Sequence, residues 1–93
     1  MRPEEKIEKR FVKKCEALGI KSKKFEFQSE KGAPDQMVFI PGGRPIFIEF
    51  KRPDGGIVSY HQEEAMKWML KDGYDCYVYD SWEEALATVK ELL

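Results

Sequence analysis

The run Ile46-Phe47-Ile48-Glu49-Phe50-Lys51 ends an apolar segment with a carboxylate and an ammonium. Side chains alternate along a strand, so Glu49 and Lys51 follow Phe47 onto one face. Opposite charges at the end of an apolar strand are costly unless they pair or hold something. Asp35 follows Pro34 at the head of a second apolar run, Gln36 to Ile40, and Pro41-Gly42-Gly43-Arg44 between the runs is a hairpin signal. With a three-residue loop, Pro41 to Gly43, Ile40 pairs with Arg44 and Asp35 falls opposite Glu49 on the same face. A two-residue turn at Gly42-Gly43 would put the acids on opposite faces. Their meeting therefore requires the longer loop, a G1-type bulge or an equivalent shift.

Two adjacent carboxylates repel, and both stay ionised only with a cation between them. Oxygen-only ligation suits Mg²⁺ or Mn²⁺, which bind a few carboxylates and keep several waters. Beside such an ion, Lys51 could orient an attacking water, help deprotonate it, or neutralise charge on a pentacovalent phosphate. That is the chemistry of phosphodiester hydrolysis. A Glu-x-Lys pair alone reads as a strand-end salt bridge, and Pro34-Asp35 on the paired strand turns the reading toward catalysis.

Further polar groups fall on apolar helix faces. In the first helical segment Ile7, Phe11, Val12, Cys15 and Leu18 share one arc, and both Glu4 and Glu8 lie within it. Either acid suits the positive end of the helix dipole, or one completes a metal site. Glu8 is the preferred ligand, because Glu4 is near enough to the chain end to fray. Gln62 sits among Ala65, Met66 and Met69, where its amide could bond a metal-bound water or a phosphate oxygen, although Ser59-x-x-Gln62 is also a capping-box pattern. His61, the single histidine, reads as a surface or DNA-contacting residue, and Trp68 and Trp82 as core or interface anchors.

These residues need elements to hold them. Periodicity predicts a helix from Pro3 to about Leu18, strands over Lys23 to Gln28, Gln36 to Ile40 and Ile46 to Phe50, and a helix from Ser59 to about Asp72 with Ala65, Met66, Met69 and Leu70 on its apolar face. A strand over Cys76 to Tyr79 and a helix from Trp82 to Leu92, capped by Ser81 with Glu84, complete an α-β-β-β-α-β-α order. An α/β fold with a mixed central sheet flanked by helices buries each apolar stripe.

The 93 residues, 42% hydrophobic and 13% aromatic, imply a single domain spanning 1–93 with a modest core, so gripping a large polymer favours a homodimer. Net charge is −1, but residues 1–52 carry 13 Lys/Arg against 8 Asp/Glu and residues 53–93 carry 3 against 9. The basic half nominates Arg10, Lys13, Lys14, Lys21, Lys23, Lys24 and Arg52 as contacts to a nucleic-acid backbone. Cys15 and Cys76 lack metal-ligand spacing and read as reduced thiols. No signal-peptide core or membrane-length apolar run is present, which predicts a soluble cytoplasmic protein with no membrane partner.

Gly32-Ala33-Pro34-Asp35, then Ile48-Glu49-Phe50-Lys51, then Ser59-Tyr60-His61-Gln62 resembles the PD-(D/E)XK nuclease superfamily and, within it, the small stand-alone virus-type replication-repair nucleases, VRR-Nuc. The resemblance runs from Ile7-Glu8 to Tyr79. It implies a restriction-endonuclease-like fold, a divalent metal held by Asp35, Glu49 and the main-chain carbonyl of Phe50, and Lys51 acting on the water. It also implies that the first-helix acid and Gln62 belong to the active site. Small members look like phage or prophage proteins that dimerise and cut branched DNA, with four-way junctions as the expected substrate. Ala33 and Gln36 depart from the bulkier or basic residues common beside the Pro-Asp pair. The expectation is a homodimeric, Mg²⁺- or Mn²⁺-dependent, structure-selective endonuclease leaving a 5′-phosphate and a 3′-hydroxyl. Its rivals are a monomeric nickase or exonuclease and a catalytically idle DNA-binding module.

Overall fold

The computed structural model describes all residues, Met1–Leu93. The chain runs α1 (Pro3–Ala17), β1 (Lys21–Lys24), β2 (Gln36–Phe39), β3 (Ile46–Phe50), α2 (Tyr60–Lys71), β4 (Asp75–Tyr79) and α3 (Trp82–Glu91), the expected α/β order. The four strands form one sheet in the order β1-β2-β3-β4. Strands β1 to β3 are antiparallel neighbours, and β4 lies parallel to β3. A parallel neighbour needs a crossover, and α2 supplies it.

The β2–β3 register decides which residues meet. Gln36 pairs with Ile48, Met37 with Phe47 and Val38 with Ile46, so one further step sets Asp35 against Glu49. The loop is the three-residue one. Gly43 N–H donates to the Ile40 carbonyl at 3.1 Å, with Pro41 and then Gly42, φ +74°, at the centre of the turn. Proline followed by positive φ is the type II pattern, and the added residue carries both acids onto one face.

One sheet face carries the main core. Val38, Ile40, Ile46, Ile48 and Phe50 pack with Phe11 and Cys15 of α1 and with Ala85, Leu86 and Val89 of α3. The Phe11 and Phe50 ring centroids are 5.3 Å apart. Burying such a side chain contributes about 1.5–3 kcal/mol, which holds β3 firmly where it carries Glu49. The opposite face meets α2, whose Ala65 and Met69 are buried, with Met69 Sδ 3.9 Å from Cys76 Sγ. Burial pushes both thiols, Cys15 and Cys76, up to about 11.

Two expectations need correction. The first strand begins at Lys21 and ends at Lys24 rather than covering Lys23 to Gln28. Phe25 N–H still reaches the Asp35 carbonyl at 3.2 Å, but the next partner is Pro34, which has no N–H to donate. Phe25 and Phe27 leave the ladder and pack as an aromatic row, Phe25 on Phe47 at 5.3 Å and Phe27 on Trp68 at 5.8 Å. On α2, Leu70 is exposed while Ala65 and Met69 carry the buried stripe. The helix is rotated to seat Met69 on β4, which turns Leu70 outward.

Candidate active site

The hairpin strands β2 and β3 deliver the acids and the lysine, and α2 adds Gln62. Asp35, immediately before β2, is clamped from both sides: its carbonyl accepts from Phe25 N–H and its Oδ2 accepts from Phe50 N–H at 2.9 Å. Glu49 sits on β3 between two neighbouring strands and is only 2% exposed. Its Oε2 lies 2.7 Å from Lys51 Nζ, and its Oε1 is buried without a hydrogen-bond partner. Lys51 Nζ also donates to Gln62 Oε1 at 3.1 Å. Gln62 thus closes the capping box foreseen for it and also contacts Lys51. Ser59 Oγ accepts from Gln62 N–H at 3.2 Å and Gln62 Oε1 accepts from Ser59 N–H at 3.4 Å, completing the capping box that aims the amide at Lys51.

The loop before Asp35 is fitted to the same helix. Gly32 has φ +107°, and a β-carbon there would lie 2.2 Å from the His61 carbonyl oxygen. Only glycine lets this backbone lie on the first turn of α2, which holds Gln62 close to the segment carrying Asp35.

Asp35, Glu49, Lys51 and Gln62 line a cleft of about 680 Å³ with Glu4, Glu8, Lys9, Lys13 and Lys24. Burial pushes Glu49 above the ordinary carboxylate range; Lys51 pulls it back and the Asp35 charge pushes it further up. Asp35 is also raised, first by burial, against the Phe50 N–H and with the Glu8 charge. A pair that is buried, mutually repulsive and short of a partner at Oε1 has the chemistry of a cation site. No three His, Cys, Asp or Glu side chains converge as a ready-made metal cage. Two carboxylates with a main-chain carbonyl still suit Mg²⁺ or Mn²⁺, which keep much of their water.

Glu8 lines the same cleft but is bonded within the protein. Its carboxylate accepts from Lys24 Nζ at 2.9 Å and from the Gln36 side-chain amide, on the wall of the cleft. Desolvation works against the Lys24 ammonium, but its bond to Glu8 carries it above the ordinary lysine value. Glu4 lines the same cleft, with Oε1 buried and no hydrogen-bond partner.

Of the expected backbone contacts, Lys13 and Lys24 line the cleft and Lys21 and Lys23 are exposed on β1. Arg10 and Lys14 lie over the Trp82 ring at 5.4 and 5.1 Å, and Arg52 pairs with Asp54 at 3.6 Å. Sequence reasoning missed two residues. Lys9 lines the cleft one helical turn before Lys13, and that spacing could have found it. Gln36 is a buried amide in register with Val38 and Ile40, a polar residue in an apolar alternation.

A mixed four-stranded sheet flanked by helices, with two acids and a lysine gathered at the end of its second hairpin strand, defines a restriction-endonuclease-like nuclease fold. A solved structure described as a "VRR_NUC domain" matches the whole of both chains with a TM-score of 0.86 and 25% identity. The sequence is 32% identical over 78 residues to "Putative nuclease p44" of Acyrthosiphon pisum secondary endosymbiont phage 1, covering 84% of this chain and 83% of that protein. No family model matches the sequence. On this likeness of sequence and fold, the chain belongs to the VRR-Nuc family of nucleases.

Proposed function

We infer that the chain hydrolyses DNA phosphodiester bonds as a Mg²⁺- or Mn²⁺-dependent endonuclease acting inside a host cell, with Asp35, Glu49, Lys51 and Gln62 as its reacting centre. The observation that carries this reading is the pairing of Asp35 with Glu49, whose buried Oε1 has no partner within the protein. Asp35, Glu49 and the Phe50 carbonyl would hold the ion, and Glu8 lines the same cleft as a further acid. The ion supplies Lewis-acid charge at the scissile phosphate. Lys51 Nζ, fixed between Glu49 and Gln62, holds the attacking water and steadies charge on the phosphate. Lys9, Lys13 and Lys24 follow the DNA backbone along the cleft.

The direct test compares cleavage of a four-way junction, a flap, a single strand and plain duplex, with Mg²⁺, with Mn²⁺ and with a chelator. Junction cleavage that the chelator abolishes is the expected result. Cleavage that survives the chelator overturns the metal assignment, and equal rates on all four substrates overturn the preference for branched DNA.

Lys51→Ala should lower turnover by about 10²–10³-fold and DNA affinity by far less, because the ammonium acts on charge that develops in the transition state. Equal losses in kcat and Kd would reduce Lys51 to a phosphate contact.

A symmetric homodimer fits four-way junctions because it presents two identical sites to paired strands. Trp68 and Tyr74 are among the exposed aromatics available to its interface. Met69 is buried, and Tyr77 and Tyr79 stack on each other beside α3, whereas Trp68 is 44% and Tyr74 38% exposed. Light scattering at micromolar concentration should return the dimer mass. A monomer with undiminished junction cleavage would favour the nickase reading instead.

A further inference from the structure

Three of the four buried polar residues, Glu8, Ser22 and Gln36, belong to one network on the cleft wall, and the fourth is Glu49. Ser22 Oγ donates to Gln36 Oε1 at 2.9 Å, which orients the amide so that Nε2 donates to Glu8 Oε2. The only cation paired with Glu8 is Lys24, whose Nζ lies 3.2 and 2.9 Å from the two carboxylate oxygens. The partners differ sharply in their access to water. The Lys24 side chain is 70% exposed and that of Glu8 is 11% exposed.

That asymmetry decides which partner can leave. An exposed ammonium exchanges Glu8 for water or a phosphate oxygen at little cost. A buried carboxylate deprived of its cation keeps one amide bond, is strongly disfavoured and needs another cation. Both groups line the cleft that contains Asp35 and Glu49, so the replacement available there is the divalent ion of the proposed reaction.

We propose that Lys24 is a removable counter-ion of Glu8: it neutralises the carboxylate while the cleft is empty and transfers to a DNA phosphate when substrate enters. Glu8, still aimed by Gln36 and Ser22, then turns its charge to the divalent ion. Gln36 is a positioning residue in this scheme. DNA and metal therefore strengthen each other's binding, by the same factor from either direction. The proposal rests on the metal-dependent reading above.

The test uses Ca²⁺ as a hard, oxygen-seeking probe, titrated calorimetrically into the full chain without DNA. Lys24→Met should bind Ca²⁺ more tightly than wild type by about fivefold or more. Lys13→Met, which removes a cleft lysine with no bond to Glu8, should gain much less. The double variant Glu8→Gln/Lys24→Met should lose the gain, and Gln36→Leu should bind more weakly than wild type. In a second arm, Ca²⁺ should tighten binding of a fluorescein-labelled short duplex to wild type more than to Lys24→Met. The proposal is overturned if Lys24→Met matches Lys13→Met, or if the double variant keeps the gain. Failure of the underlying reading looks different: wild type then binds neither Ca²⁺ nor Mn²⁺, or binds them no better than Asp35→Asn, whatever residue occupies position 24.

Discussion

Asp35→Asn is expected to abolish cleavage, by about 10³-fold or more, while raising the melting temperature of the metal-free protein. The amide keeps an oxygen for the Phe50 N–H and removes a charge that burial, Glu8 and Glu49 all oppose. The pH dependence has a definite sign. Asp35 and Glu49 are raised in the folded state, so their contribution to stability is fully present below the ordinary carboxylate values and is lost as pH climbs through the raised ones. Wild type should therefore lose stability between acidic and neutral pH, and Asp35→Asn should lose less. A gain of about 1 kcal/mol at neutral pH corresponds to about 4–8 °C in a domain of this size. Saturating Mg²⁺ should close the gap by stabilising wild type alone. Melting curves at pH 5 and pH 8, with and without Mg²⁺, check each step. A variant that cuts like wild type, or melts below it at pH 8, would contradict the assignment.

Gly32→Ala should be the most damaging single-methyl change in the protein. At φ +107° any side chain is strained, and the added carbon would meet the His61 carbonyl oxygen, a backbone atom, at 2.2 Å. Strain of about 1–3 kcal/mol joins an overpacking cost of about 1–3 kcal/mol. Together they predict a loss of about 2–6 kcal/mol, or a fall of about 8 °C or more in melting temperature. Gly42→Ala is the control: φ is +74° and nothing lies within 4 Å of the added carbon, so only the left-handed backbone cost of about 1–2 kcal/mol applies. Separating the loop from α2 moves Asp35 relative to Gln62 and Lys51, so turnover of surviving Gly32→Ala protein should fall more than DNA affinity. Equal melting temperatures for the two variants would show that the loop does not bear on α2 as described.

Much of the proposed reacting centre follows from strand period and loop length. Glu49 and Lys51 share a face because side chains alternate, and the structure's register sets Asp35 against Glu49 as a three-residue loop requires. Ser59 and Gln62 are legible as a capping box because both bonds form within one helical turn. These are local rules, and neighbouring residues satisfy or break them whatever the rest of the chain does.

What the sequence alone could not decide depends on how distant elements rest on each other. The end of β1 follows from Pro34 arriving as its next partner, a fact of pairing between strands rather than of propensity within one. The arc of α1 contains both Glu4 and Glu8, but docking of that helix beside β1 commits Glu8 to Lys24 and Gln36 and leaves Glu4 Oε1 without a hydrogen bond, 3.9 Å from Arg2 Nε. The same docking turns Lys9 and Lys13 to the cleft and sets Arg10 and Lys14 on Trp82. Periodicity specifies that a helix has an apolar stripe; its rotation against the sheet is set by packing Phe11 on Phe50 across the core. That rotation distributes the flanking charges between the cleft and the outer surface, so composition and spacing nominate the proposed reacting groups while tertiary packing selects the residues that surround them.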